Sequence, residues 1–239
     1  MDSYLLLKKE LDFQDIRISK SPSNRNIVPN FEKQIQSLWE EDLKKAKSEG
    51  YKRWDSILYR LNSFSVNNDE LYFDLGEVNF STAVGLKSIN KIKPLNINSF
   101  SKALFINSLV ITTDNKYVFG VRNNTKIRDM IGGVISKSEM EVNNGKDLER
   151  FLLVELKEEC NIDIFHIKSV KFLGLIQSRS TRISISCKTN LNISSFELEN
   201  IFKSRLDNEL EALDFVEYCD LEGYLGNFDG YQKIMKNFI

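Results

Sequence analysis

The chain of 239 residues has a single histidine, His166. That scarcity removes whole classes of site. A zinc centre built on two or more histidines cannot be assembled. A Ser-His-Asp or Cys-His nucleophile would have to use His166 itself. The alternation in Ile164-Phe165-His166-Ile167 puts that residue at a strand edge, where a structural or exposed role is favoured over catalysis. Cysteine is almost as scarce. Cys160, Cys187 and Cys219 are odd in number and far apart, which fits a reducing, cytoplasmic setting and no disulfide framework. No apolar run approaches the length of a membrane span. Met1-Asp2-Ser3 ahead of Tyr4-Leu5-Leu6-Leu7 lacks the basic start and long apolar core of a signal peptide and reads as the approach to a first strand. An excess of positive charge is missing too. A net charge of −1 and a pI near 6.0 argue against a nucleic-acid binder held by phosphate neutralisation. Chemistry in this chain therefore rests on carboxylates, lysines and arginines.

What is present is the composition of a soluble globular protein, 41% hydrophobic and 28% charged, in a chain long enough to bury a full core. Ser21 to Asn26 and Pro29-Asn30 form a turn-rich break. A helix is expected from about Phe31 to Ser48, with Phe31, Ile35, Leu38, Trp39 and Leu43 on one face and Gly50 ending it. Ile57–Leu61 and Glu70–Leu75 read as strands around the turn Asn67-Asn68-Asp69. Asn90 to Ser101 shows little periodicity and reads as a linker, which sets the domain limits at 1–98 and 99–239. Residues 1–98 should pack on the second domain, since Trp39, Trp54, Phe73 and Phe80 are too many large apolar groups for a free surface. From Ala103 the pattern turns β-rich. A strand Leu104–Thr113, a turn at Asp114-Asn115 and a returning strand Lys116–Arg122 form a hairpin. Further strands follow at Ser169–Gln177, Thr181–Cys187 and about Asp214–Tyr218, with a helix at about Ser195–Lys203.

The most informative stretch is Gly132-Gly133 followed by Val154-Glu155-Leu156-Lys157-Glu158-Glu159-Cys160-Asn161-Ile162. The helix expected at about Asp147 to Cys160 buries Leu148, Phe151, Leu152, Leu156 and Cys160 along one stripe, with Asp147 as its N-cap and Asn161 at its stop. Glu155, Glu158 and Glu159 then share another face. Like charges one turn apart cost a few tenths of a kcal/mol per pair (roughly 0.2–0.5) on an exposed helix. A divalent cation reverses that sign, and carboxylate oxygens are the ligands that Mg²⁺ and Mn²⁺ prefer. An ordinary solvated acidic face accounts for the carboxylates alone. It does not account for the Gly-Gly, which lets backbone carbonyls approach the same point.

These residues resemble the Nudix box, G-x5-E-x7-R-E-U-x-E-E-x-G-U, where U is aliphatic. Gly133, Glu155, Leu156, Glu158, Glu159 and Ile162 take their places in it. Val154 stands where the box has arginine and Asn161 where it has its second glycine. Gly133 and Glu155 are 22 positions apart where the pattern needs 15, so a seven-residue insertion sits around Lys137 to Lys146. Glu139 and Glu141 are the candidates for the upstream box glutamate. The eukaryotic hydrolases of UDP-glucose and UDP-galactose share the expanded loop, the lost arginine and the Asn. Ile35–Glu40, Asp74–Phe80 and Phe172–Leu175 also resemble segments of that subgroup.

The resemblance implies an α/β fold, a Nudix-type α/β/α sandwich with a mixed sheet, here with an N-terminal α+β extension. It implies an enzyme that cleaves the diphosphate of a small-molecule nucleotide sugar, with Mg²⁺ (or Mn²⁺ in its place) held by Glu155, Glu158, Glu159 and the Gly132 carbonyl. Glu155 is the choice for the catalytic base. Arg122 and Gly133 are the substrate-binding candidates, Arg122 as a phosphate clamp. Neither nucleic acid nor membrane enters this reading. The alternatives are a Nudix hydrolase of another compound such as ADP-ribose, or a non-catalytic nucleotide-sugar sensor.

Overall fold

The computed structural model describes residues 2–22, 29–48, 53–123, 125–205, 208–228 and 230–239; the expected break over Ser23–Asn26 and the helix stop at Gly50 lie outside them. The strands are β1 (Tyr4–Leu11), β2 (Ile16–Lys20), β3 (Ile57–Asn67), β4 (Glu70–Asn79), β5 (Leu104–Ile111), β6 (Lys116–Arg122), β7 (Arg128–Asp129), β8 (Ile167–Gln177), β9 (Ile183–Leu191) and β10 (Leu210–Glu217). The helices are α1 (Pro29–Ser48), α2 (Phe80–Ile92), α3 (Gly145–Cys160), α4 (Ser195–Phe202) and α5 (Leu221–Gly226), followed by a 3₁₀ segment, Tyr231–Phe238. Among the described residues no helix is long and apolar enough to cross a membrane.

The large sheet runs β1-β8-β9-β5-β6-β10, with β7 paired to β6. β5 and β9 are parallel, with Ile106 opposite Ile185, and the other pairs are antiparallel. β5 alternates its burial between two cores, as the two-residue period of a strand requires. Leu104, Ile106 and Val110 join the core under α3, with Leu148, Phe151, Leu152, Leu156 and Cys160. Leu109 joins Leu221 and Leu225 of α5 and Met235 on the opposite face. Helices therefore cover both faces, and the α/β/α sandwich with a mixed sheet is the architecture of the molecule.

A second sheet, β2-β4-β3, contributes Ile16, Tyr59, Leu61, Leu71, Phe73 and Leu75 to the core beneath α3. Each such side chain is worth about 2 kcal/mol when fully buried. β1 does not belong to that second sheet. It pairs along β8, with Leu5 opposite Ile176. The N-terminal segment thus shares both sheet and core with the rest of the chain.

Several local expectations are corrected. Leu43 faces solvent on α1, and Trp54 is 70% exposed, so neither packs as expected. Residues 90–92 extend helix α2, which buries Leu86 and Ile89 against Ile35. His166 lies in a 3₁₀ turn before β8, where its Nδ1 accepts from the Asp163 N–H at 3.0 Å. Asp147 is not the N-cap of α3; Asn144 is, with Asp147 at the third helical position of a capping box.

Candidate functional site

Three local devices place the acidic face. At the start of α3, the Asp147 carboxylate accepts from the Asn143 N–H at 2.9 Å and the Asn144 N–H at 3.2 Å. At its end, Asn161 turns left-handed (φ 59°, ψ 28°), the conformation in which glycine usually ends a helix. Its side-chain amide then donates to the Ile201 carbonyl of α4 at 3.0 Å, so Asn161 closes the helix and ties it to its neighbour. Between the caps, the apolar stripe against the sheet fixes the rotation of α3.

The Gly-Gly loop is held from the other side. Residues 131–135 run beside β5: the Ser108 N–H donates to the Ile131 carbonyl, the Ile106 N–H to the Gly133 carbonyl and the Ile135 N–H to the Leu104 carbonyl, at 2.9 to 3.1 Å. Gly132 has φ +144°, and a Cβ there would fall 2.1 Å from the Ile106 carbonyl oxygen. A Cβ at Gly133 would fall 2.3 Å from a carboxylate oxygen of Glu155. Both glycines are needed for closeness, the first to the sheet and the second to the acidic helix.

Glu159 bridges these parts. One oxygen accepts from the Gly132 N–H at 3.1 Å and the other from Arg122 Nη1 at 2.6 Å. The same Nη1 donates to Glu209 at 2.7 Å. Burial opposes the charge of Arg122, but Glu159, Asp129 and Glu209 outweigh it and raise its pKa. Burial pushes Glu159 up to about 7, against the pull of Arg122 and the Gly132 N–H. Glu155 is pushed further, to about 8, by burial and then by the charges of Glu159, Glu139, Glu158 and Glu209. Glu158 is exposed and lines an adjoining depression of about 360 Å³. Of the three helix carboxylates, Glu155 and Glu159 meet the loop directly and Glu158 flanks them.

The two upstream candidates separate cleanly. Glu139 joins the acidic group, its pKa raised by burial and by Glu158. Glu141 turns away to an ion pair with Lys20. Val154 is exposed at the rim of the depression that Glu158 lines and brings no charge to it; the cation on the acidic face comes from Arg122, at the end of β6. Arg122 thus holds a carboxylate against the glycine loop, and its guanidinium is shared between Glu159 and Glu209.

A cleft of about 430 Å³ opens between Gly132-Gly133, Glu155, Glu159 and Glu139 on one side and Phe105, Asn107, Arg182 and Tyr231 on the other. Sequence reading missed Glu209, Asp129, Asn107, Arg182 and Tyr231. They come from five separate places in the chain, β5, β7, the 3₁₀ segment and the approaches to β9 and β10, and carry no local pattern; only the fold brings them together. Among the described residues, no group of three or more His, Cys, Asp or Glu side chains forms a ready cation cage. The donor set is nonetheless one of hard oxygens, and the raised pKa values of Glu155 and Glu159 mark negative charge that a cation would relieve.

The two glycines should respond differently to alanine. Gly133→Ala meets only the mobile end of Glu155, so the melting temperature should stay within a few degrees while the carboxylate is displaced. Gly132→Ala meets the backbone in a conformation that alanine resists, and should cost more than about 2 kcal/mol. Thermal melts of both variants check this; equal losses would contradict the placement of Glu155 against Gly133.

No protein-family model matches the chain, and no curated protein does. Solved structures similar to it include Tm1382, provisionally described as a Nudix hydrolase (14% identity, 77% of this chain and 97% of that one, TM-score 0.47). The MutT protein from Methanosarcina mazei Go1 shows 14% identity over 57% of this chain and 91% of that one, with a TM-score of 0.33. A bifunctional NMN adenylyltransferase/ADP ribose pyrophosphatase from Francisella tularensis shows 13% identity over 57% of this chain and 38% of that one, with a TM-score of 0.31.

Proposed function

We propose that the chain is a Nudix-type hydrolase that cleaves a nucleoside diphosphate linked to a sugar, of the UDP-glucose or UDP-galactose kind, to UMP and a sugar 1-phosphate. The observation that carries this reading is the contact of Glu155 and Glu159 with Gly133 and Gly132, in the order and orientation the box resemblance calls for. Glu155, Glu158, Glu159 and the Gly132 carbonyl would hold Mg²⁺ or Mn²⁺. Such an ion, when bound, supplies charge neutralisation at the diphosphate and lowers the pKa of a water.

The remaining work falls to side chains. Glu155 has a proton affinity near neutrality and no hydrogen-bond partner among the described residues, which suits it to take a proton from an attacking water. Arg122 keeps Glu159 facing the loop. The wide loop 137–146 and the open cleft leave room for a sugar beside the diphosphate. The N-terminal strands complete the sheet and the core that support these groups.

A substrate panel with Mg²⁺ tests the reading. UDP-glucose or UDP-galactose should be cleaved well ahead of ADP-ribose and nucleoside triphosphates, with UMP and sugar 1-phosphate as products. A tenfold preference for ADP-ribose, about 1.4 kcal/mol in transition-state binding, would overturn the UDP-sugar assignment and leave a diphosphatase. Binding without any turnover would favour the sensor reading.

A further inference from the structure

The cleft is lined by charges of both signs, with Arg122 tied to Glu159 and Glu209 and Asp129 near Arg182. One wall carries Glu155, Glu159, Glu139 and Glu209. The opposite wall carries Arg182, the residue just before β9. Its guanidinium stands over the Phe105 ring, 5.0 Å from the centroid, and its Nε donates to the Ser180 hydroxyl at 3.3 Å. Among the described residues no carboxylate forms an ion pair with it. Such an arginine is unusual, since a buried or half-buried charge is normally paired.

Its surroundings are built rather than incidental. Phe105 packs edge-on to Tyr231, ring centroids 5.0 Å apart. The Tyr231 hydroxyl donates to Asp129 at 2.5 Å, and Gln232 donates to the same oxygen at 2.9 Å. Asp129 is thereby occupied by neutral donors. Arg182 is held by ring stacking and one hydroxyl, with donors left over. Burial disfavours its charge and outweighs the favourable fields of Tyr231 and Asp129. Lys87 on α2 in turn loses proton affinity through burial and through the charge of Arg182.

We propose that Arg182 is the anion-binding residue of this cleft and takes the phosphoryl group of a diphosphate that lies farther from the carboxylate wall, with Lys87 adding positive potential behind it. The arrangement matches a bipolar ligand, a metal-bound diphosphate with its cation at the acidic wall and free phosphoryl oxygens opposite. A planar guanidinium with unused N–H donors is suited to two phosphoryl oxygens at once. The aromatic pair Phe105–Tyr231 keeps the guanidinium in one plane and limits water around it, which strengthens each contact. This inference rests on the diphosphatase reading and extends it to the opposite wall.

Binding of methylenediphosphonate, a diphosphate that cannot be hydrolysed, tests it by calorimetry with Mg²⁺ on the full chain. Arg182→Gln should raise the dissociation constant tenfold or more. Arg182→Lys keeps charge but not the fork, and should fall between the two. Lys87→Gln removes the second positive charge and should weaken binding about threefold at low salt, with the difference closing at high salt. The Lys87 variant keeps the test valid if Arg182→Gln fails to fold. Wild-type binding with unchanged affinity in Arg182→Gln, or in both Arg182→Lys and Lys87→Gln, overturns the role of Arg182 and leaves the diphosphatase reading standing. No binding by the wild type overturns both.

Discussion

Glu155→Gln should cut hydrolysis by two to four orders of magnitude and, in the same protein without metal, raise thermal stability. The two effects share one cause. Glu155 is a half-buried carboxylate with no hydrogen-bond partner among the described residues, set among four other carboxylates. Its ionised form is costly in the resting protein. Glutamine keeps the shape and removes the charge. Loss of a general base costs about 10²–10⁴-fold in rate, and loss of a metal ligand would deepen that. The shift corresponds to about 4 kcal/mol near pH 8, where the native carboxyl is half ionised and the unfolded one fully so; solvent screening of a half-buried group leaves a stability gain on the order of 2 kcal/mol. Glu159→Gln should separate the two effects. Its ionised form is also costly, but Arg122 and the Gly132 N–H offset part of that cost, so activity should fall with a smaller gain in stability. A Glu155→Gln protein that turns over at the wild-type rate would remove Glu155 from the chemistry. One that melts earlier than wild type would contradict its placement in an acidic, desolvated site.

The second large effect is a stability slope with pH, present without metal and removed by it. Glu155 and Glu159 have folded-state pKa values raised to about 8 and about 7, above the usual value of 4.5. The native state therefore binds more protons than the unfolded state across that interval. Stability must fall as pH rises from about 4.5 through about 8, and level off above. Asp114 and Asp147 are shifted in the opposite direction, below 3.8, so their losses on acidification lie at lower pH. In EDTA, the melting temperature should drop by roughly 8–16 °C between about pH 5 and about pH 9, taking about 4 kcal/mol for the two groups after solvent screening and 2–4 °C per kcal/mol for a chain of this size. Saturating Mg²⁺ should flatten the slope, because a cation replaces the protons. At a hundredfold excess over its dissociation constant it adds about 2.7 kcal/mol. A melting curve in EDTA that stays level or rises over this window would show that the carboxylates are not crowded as described.

The sequence was most legible where chemistry is local. The hairpin β5–β6, the burial stripe of α3 and the left-handed stop at Asn161 each follow from residues a few positions apart, and the structure has them. The cap of α3 was misplaced by three residues because Asp147 and Asn144 are both good caps. Only the reciprocal hydrogen bonds decide that Asn144 leads and Asp147 follows. Helix α2 is absent from the sequence reading because Phe80 to Ile92 is short of charged residues, so its polar face gives little contrast with its buried one. Trp54 shows the limit of arguing burial from side-chain size: a tryptophan can remain at the surface when no neighbouring element reaches it. The acidic face was legible through its spacing. The opposite wall was not. Phe105, Asp129, Arg182 and Tyr231 are scattered over more than half the chain, and nothing but the sheet topology makes them neighbours.

The position of β1 also has a bearing on how the protein can be made. Leu5 finds its partner only in Ile176, 171 positions later. At Gly174 on the same strand, the Leu7 carbonyl and the Phe238 ring both crowd the place a Cβ would take, so the first strand and the 3₁₀ segment meet at β8. A nascent chain must therefore carry an unpaired apolar edge until β8 has emerged. It must then wait for the final residues before Tyr231 can close the cleft wall. Contacts of such long sequence separation are slow to form and leave strand edges exposed meanwhile. Assembly of the site is in this sense late: the acidic helix can form early, but the pocket it faces exists only after the chain has emerged as far as Tyr231.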